Sequence, residues 1–209
     1  NDETYAETVR IDSSGRTLIG HTAAHSVGGG NSLLQIQATN STGRISVVQH
    51  RNEAGGSPFI SLGKSRGTSN GSTTILQSGD EIGTLTWAGA DGNDLDNQAC
   101  CITGVVDGTP GSNDMPGRLE FRTTADGSAS ATTRMTITSA GYVTTPATPS
   151  FHAVGMSGSS YDNGTMTGGV SSAGHNIGNH YNTSNGIFTA PVAGRYLTGC
   201  GVLVQSGSG

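Results

Sequence analysis

The chain has 209 residues, a formal net charge of −5, 12% charged residues and 34 glycines. Leu, Ile, Val and Phe make up about 18% of it, under the roughly 20% that a self-sufficient core usually takes, yet the low charge is not that of a disordered chain. These values exclude an ordinary compact globule, a nucleic-acid binder with a basic aromatic-rich face and, because no run reaches about 18 apolar residues, a membrane-spanning helix. They fit a slender β-structure that buries its scarce apolar surface between chains.

In chain order, "VRIDSSGRTL" (9–18) reads as strand, Ser-x-Gly turn, strand, with Gly15 at positive φ. "SLLQIQAT" (32–39), "GRISVVQHR" (43–51), "SPFISLGK" (57–64) and "TTILQ" (73–77) are predicted short strands separated by Gly, Asn and Ser clusters. Between the first two, "NSTGRIS" (40–46) repeats the turn more loosely. "EIGTLTW" (81–87) is a strand ending on Trp87 before a polar loop, and adjacent Cys100 and Cys101 point to opposite faces of another.

"RLEFRTT" (118–124) alternates, with Leu119 and Phe121 on one face and Arg118, Glu120 and Arg122 on the other. "ADGSASA" is a turn-rich loop, and "TRMTIT" (133–138) returns with Met135 and Ile137 facing together, which makes a hairpin. "ITSAGY" then uses the Ser-x-Gly device again at Gly141. No segment has helical periodicity, so the fold class is all-β. "PATPS" (146–150) suits an extended connector.

Candidate chemistry is sparse. "DGNDLDN" gathers Asp91, Asn93, Asp94 and Asp96 as a calcium loop does, but lacks the spacing and distal glutamate of an EF-hand, so a solvated turn competes with a metal site. The histidines, His21, His25, His50, His152, His175 and His180, form no His-x-His pair, and His175 and His180 are expected in a loop and at a strand edge. Cys100, Cys101 and Cys200 are not a disulfide framework; free thiols fit assembly in a reducing cytoplasm. Asp80 with Glu81, or Asp107 with Asp114, are conceivable glycosidase pairs that nothing separates from turn acids. Trp87 can stack on a sugar, although core packing is the commoner fate of a tryptophan. No cofactor is indicated.

The stretch "RLEFRTTADGSASATTRMTITSAGYV" resembles a segment of bacteriophage tail fibres and related virion appendages. The resemblance lies in its Arg-Leu-x-Phe, Thr-Thr, Gly-Ser loop, Arg-Met-x-Ile and Ser-x-Gly-x-Val succession. "GDEIGTLTWAGADG" and "VVDGTPGSNDMPG" resemble the pieces preceding it in such fibres, and "VRIDSSGRTLIG" resembles the motif at fibre-module junctions. Farther on, "NIGNHYNTSNGIFTAPVAGRYL" (176–197) resembles the globular head of complement-q-type proteins and tumour necrosis factors. The match falls at Tyr181, Gly186, Phe188, Thr189, Ala190, Pro191, Ala193, Gly194 and Tyr196.

These resemblances imply an elongated trimeric fibre: a junction (1–20), a β-sandwich or β-prism-like knob module (21–145), the linker (146–150) and the first part of a jelly-roll head (151–209). In that head Phe188 lies in the core, Pro191 ends a strand and Gly194 allows a close turn. A half jelly roll would leave Phe188, Tyr196, Leu197, Val202 and Val204 uncovered, so sequence beyond Gly209 is expected. The implied function is that of a non-enzymatic virion appendage, a tail fibre that recognises and adheres to the host as a homotrimer, assembled in the host cytoplasm. Its partners are other virion tail or capsid proteins and a host surface glycan or protein receptor, with no nucleic acid and no membrane insertion.

The alternatives are a capsid-attached fibre and a fragment of a tailspike glycan depolymerase. Leu119, Phe121, Met135 and Ile137 are the expected three-chain interface. The loops at 88–98 and 107–117, with Trp87, Asp91, Asn93, Asp94 and Asp114, are the expected receptor-facing surface.

Overall fold

The computed structural model describes residues 7–156, 160–162, 165–167 and 170–199, with side chains described for 7–154 and 174–199. Val202 and Val204, expected on the uncovered face of the head, lie outside the described residues, as does Cys200. The chain divides into two units, Asn1–Pro146 and Ala147–Gly209. Among the described residues every regular element is a strand, as the alternating patterns require.

The first unit opens with β1 (Val9–Ile11), β2 (Thr17–Ile19) and β3 (Leu34–Ile36) in a three-stranded sheet of that order. β1 and β2 are antiparallel, β2 and β3 parallel, and Leu18 on the central strand is fully buried. The turn between β1 and β2 has a specific mechanism. Asp12 N–H donates to Arg16 O at 3.0 Å, Gly15 N–H donates to Asp12 O at 2.9 Å, and Gly15 has a φ of 74°.

The same bonds recur at the second Ser-x-Gly. Thr138 N–H donates to Tyr142 O and Gly141 N–H to Thr138 O, both at 2.9 Å, with Gly141 at a φ of 82°. Even the side-chain support is shared: Asp12 Oδ1 accepts Arg16 N–H at 3.0 Å, and Thr138 Oγ1 accepts Tyr142 N–H at 3.1 Å. A residue with a Cβ is disfavoured where the glycine sits, and an Asp or Thr must start the turn. The looser candidate at 40–46 is a different turn: Gly43 is not at positive φ, and Arg44 N–H donates to Thr42 O at 2.8 Å.

The main element of the first unit is a five-stranded antiparallel meander. It consists of β4 (Glu81–Ala88), β5 (Gln98–Val106), β6 (Gly117–Thr124), β7 (Ala131–Ile137) and β8 (Val143–Thr144), in that order. The β6–β7 hairpin turns at Gly127, with φ of 75° and Ser128 N–H donating to Ala125 O at 3.1 Å. The register aligns Leu85 with Ile102, Ile102 with Phe121, and Phe121 with Met135, so these side chains form one row across four strands.

The strands expected at 43–51, 57–64 and 73–77 are not strands within this chain, and that expected at 32–39 shrinks to β3. Their alternation suits a strand, but 45–51 and 57–64 make no backbone–backbone hydrogen bond to a described residue, and 73–77 makes only isolated ones, Arg66 N–H to Thr74 O at 3.2 Å and Asp80 N–H to Gln77 O at 3.0 Å.

The second unit contains β9 (Ser150–Met156), β10 (Ser160–Asp162), β11 (Thr165–Thr167), β12 (Val170–Ile177), β13 (Tyr181–Asn182) and β14 (Ile187–Phe188). They form three two-stranded antiparallel sheets, β9 with β12, β10 with β11, and β13 with β14. His175 therefore sits within β12, opposite His152, rather than in a loop. The larger sheets that such a head requires are not formed among the described residues.

Candidate interaction surfaces

The two faces of the five-stranded sheet have opposite chemistry. One carries Thr84, Thr86, Cys101, Thr103, Val105, Arg118, Glu120 and Arg122, as the register requires. It is the covered face: Thr103 and Val105 are 0% and 1% exposed, and Glu120 only 8%. The loop at 26–30 lies against it, with Gly28 N–H donating to Leu95 O at 2.9 Å and Asp96 Oδ1 accepting from Ser26 Oγ at 2.5 Å and Gly29 N–H at 3.2 Å.

A line of charges crosses this face. Arg122 donates to Glu81 and to Glu120, each at 2.7 Å, while Arg118 donates to the other oxygen of Glu120 at 2.7 Å and to Asp107 at 3.2 Å. Burial pushes the Glu120 carboxyl up, but the two guanidiniums outweigh it and hold the group below the usual range. The ladder helps fix register by satisfying the enclosed Glu120 carboxylate.

The opposite face carries Leu85, Trp87, Ile102, Leu119, Phe121, Met135, Ile137 and Val143. Leu85, Trp87 and Leu119 are 44–53% exposed, Ile102, Phe121, Met135 and Ile137 are half-buried, and Val106, at the end of β5 on the same face, is fully buried. Leu62 reaches over this face from outside the sheet, its Cβ standing 2.5 Å from where a Cβ on Gly83 would be. The expectation that Trp87 packs into a core is therefore not met within the chain. Leu119, Phe121, Met135 and Ile137 do come together, and Leu85 and Ile102, missed in the sequence, extend their patch. Alternation of Leu85 and Trp87 with Thr84 and Thr86 was the signal that could have found them.

The loops are held by their own polar groups. Asp91 Oδ1 accepts Asn93 N–H at 2.8 Å and Asp94 N–H at 3.1 Å, its Oδ2 accepts Asn97 Nδ2 at 2.7 Å, and Asp94 Oδ1 accepts Asp96 N–H at 2.9 Å. The backbone N–H of Asn93 is the main reason Asp91 lies below the usual carboxylate range. Those oxygens serve as turn acceptors, and among the described residues no three His, Cys, Asp or Glu side chains converge as metal ligands. In the second loop Gly111 and Asp114 exchange backbone bonds at 3.0 and 3.2 Å, leaving the Asp114 side chain exposed.

Of the conceivable glycosidase acids, Asp80 is gripped by Arg66 at 2.6 and 2.8 Å and Asp107 accepts Ser139 N–H at 2.9 Å. The Arg66 guanidinium holds Asp80, and chiefly the Ser139 N–H holds Asp107, below the usual range. A glycosidase general acid needs the opposite shift.

In the second unit the aromatic residues converge. Phe151 stacks on Tyr181 with ring centroids 4.3 Å apart and on Phe188 at 5.2 Å, and Tyr196 meets Phe188 edge-on at 5.4 Å. Asn176 brackets Tyr181, donating to its carbonyl at 2.7 Å and accepting its N–H at 3.1 Å. Tyr181 is buried, Phe188 half-buried, and Pro191 and Gly194 lie in the bent segment after β14. Two histidine pairs also come together, His21 with His25 at 5.8 Å between centroids and His152 with His175 at 6.2 Å.

No known family model and no curated protein sequence matches this chain. Among solved structures it is similar to the carboxy-terminal domain of the bacteriophage T5 L-shaped tail fibre, with a TM-score of 0.54 and 20% identity, over 76% of this chain and 67% of that one. The fold is thus an all-β, fibre-like one, of the kind found in that tail-fibre domain.

Proposed function

We propose that this chain is a structural segment of a bacteriophage tail fibre that assembles as a homotrimer and attaches the particle to a host surface. The observation that carries the reading is the five-stranded sheet, whose ionic face is covered and whose apolar face is open, in a fold similar to a tail-fibre domain. A sheet in water keeps its apolar face covered, and symmetric copies of one chain are the simplest cover. In the assembly Leu119, Phe121, Met135 and Ile137 face the neighbouring copies, and Phe188 and Tyr196 belong to the core of the distal head. The aromatic cluster supports a head of the complement-q type.

The role is mechanical and adhesive rather than enzymatic. Stiff β-modules hold a head away from the particle, and three copies multiply weak contacts by avidity. Recognition of a glycan or protein receptor falls to the loops at 88–98 and 107–117, around Trp87, Asp91, Asn93, Asp94 and Asp114, because their backbones are fixed while their tips are exposed. Half-exposed Trp87 is the natural stacking platform for a sugar. Assembly takes place in the host cytoplasm, where Cys100 and Cys101 stay free, and the other partners are tail proteins of the virion.

Two experiments test the reading. Antibody against this segment should label tail fibres on intact particles, and labelling of the capsid would overturn the tail assignment. Purified protein should compete with particles for host adsorption. Replacing both loops by short Gly-Ser turns should abolish that competition, and unchanged competition would move recognition to the head.

A further inference from the structure

His21 and His25 flank the short segment that leads from the end of β2 into the loop at 26–30. Their rings lie 5.8 Å apart between centroids, tilted by 35°.

The hydrogen bonds show which nitrogen each ring offers. His21 Nδ1 lies 2.7 Å from Ala23 O. A carbonyl oxygen only accepts, so Nδ1 carries a hydrogen, and Nε2 of the neutral ring keeps its lone pair. Among the described residues that Nε2 is the one buried side-chain nitrogen or oxygen without a hydrogen-bond partner. Buried polar atoms are nearly always paired, and an orphan calls for a partner that the chain itself does not supply.

His25 is exposed, and its Nδ1 lies 3.2 Å from Gln37 Nε2. The two ends of an amide have nearly the same shape. Turning the Gln37 amide over brings Oε1 to His25, so that Nδ1–H donates to it and Nε2 is freed. Both rings then have the arrangement of metal-binding histidines, with one nitrogen donating to an oxygen and the other bare.

The backbone around the pair is built rather than loose. His25 N–H donates to Gln35 Oε1 at 3.1 Å, and Gln35, only 8% exposed, donates in turn to Ser32 O at 3.2 Å. Gln37 N–H donates to Ile19 O at 3.0 Å, next to His21 at the end of β2. β3 and the residue that follows it thus hold both histidines.

Two imidazoles select the ion. Calcium and magnesium take oxygen ligands, whereas imidazole suits zinc, copper and nickel. With zinc–nitrogen bonds of about 2.0–2.1 Å, two rings on one tetrahedral ion have centroids about 5 Å apart, so the observed spacing closes with a shift of less than about 1 Å.

We infer that His21 and His25 bind one divalent transition-metal ion per chain, zinc being the reference ion, through Nε2 of each ring, with water completing the coordination. The site lies within one chain and does not depend on the homotrimer reading. The loop that crosses the ionic face begins at the next residue, where Ser26 donates to Asp96. An ion held by the pair ties the root of that loop to the end of β2.

Equilibrium dialysis of the full chain against submillimolar zinc, with magnesium as the comparison ion, is the test. Zinc should be taken up and magnesium not. His21→Gln and His25→Gln should each weaken the uptake of one ion per chain at least about tenfold, because losing even an outer partner of a ligand costs about 10–100-fold. His25 is exposed, so His25→Gln decides the matter should His21→Gln fail to fold. His152→Gln and Cys100→Ser, which alter the other histidine pair and the half-buried thiol, should leave that ion in place. No zinc uptake, or uptake that His25→Gln leaves unchanged, would overturn the inference, as would uptake lost only in His152→Gln or Cys100→Ser.

Discussion

Residues 81–144 and residues 45–65 carry the same alternating pattern and end in opposite states. In the first, each apolar residue finds a neighbour across the ladder: Leu85, Ile102, Phe121 and Met135 stand in register from β4 to β7. In the second, Ile45, Val47, Phe59 and Ile60 find none. Strand propensity does not separate them. Turn chemistry does not settle it alone: Asp-Gly at Gly127 closes a hairpin that delivers β7 to β6, whereas the bend at 53–55, with Gly55 and Gly56 at φ of 92° and 73°, brings no backbone hydrogen bond between 45–51 and 57–64. Alternation encodes a strand, and only a turn or a second chain supplies its partner.

The largest expected effect is at Phe121. If copies cover its face, Phe121→Ala costs about 3–5 kcal/mol in the assembly, as for a fully buried aromatic. In a monomer, where it is half-buried, the cost is smaller. Thermal unfolding across a concentration series separates the two, since the loss should grow with the assembled fraction. Next comes Glu120→Gln, which removes the charge that Arg118 and Arg122 share on the covered face. Because the arginines still reach solvent, roughly 2–3 kcal/mol is expected, below the full cost of breaking a buried pair. That loss should not depend on concentration, and a concentration-dependent loss would mean that the ionic face is also an interface.

Gly15→Ala and Gly141→Ala should each cost about 1 kcal/mol, because both turns need positive φ. Equal costs in the two variants, read by denaturant unfolding, are expected from turns that share the same bonds, and unequal costs would show that their surroundings dominate. The smallest effect is that of pH. Asp80 and Asp107 have folded values lowered by Arg66 and by the Ser139 N–H respectively. Their contribution is complete above the unfolded carboxylate value of about 4 and is lost as pH falls through the lower folded values. The melting temperature should therefore be level from about pH 5 upward and drop below about pH 4. A melting temperature that holds or rises in acid would contradict these pairings.

The all-β character was legible because Leu119 and Phe121 against Arg118, Glu120 and Arg122 leave no other periodic reading. The Gly15 and Gly141 turns were legible too, since a glycine after Ser-x in a strand–strand junction has few other uses. What was not legible is which face the chain covers. Hydrophobicity alone places Leu119 and Phe121 inside and Glu120 outside, yet Glu120 is enclosed and Leu119 is not. The ion pairs that make this possible join residues far apart in sequence, Glu81 to Arg122 and Asp107 to Arg118, and no local pattern announces them. The open strands at 43–51 and 57–64 failed for a related reason: a single sequence does not say whether a partner lies in the same chain. The carboxylates of Asp91, Asp94 and Asp96 look like ligands in one dimension, and only the fold reveals the N–H groups that occupy them.

The most direct test of the account is the mass of the full chain at micromolar concentration, measured by sedimentation equilibrium. The open apolar face and the unpaired segment predict a particle of three copies, each of 21.1 kDa, that does not dissociate on moderate dilution. A stably folded 21.1 kDa monomer would contradict it.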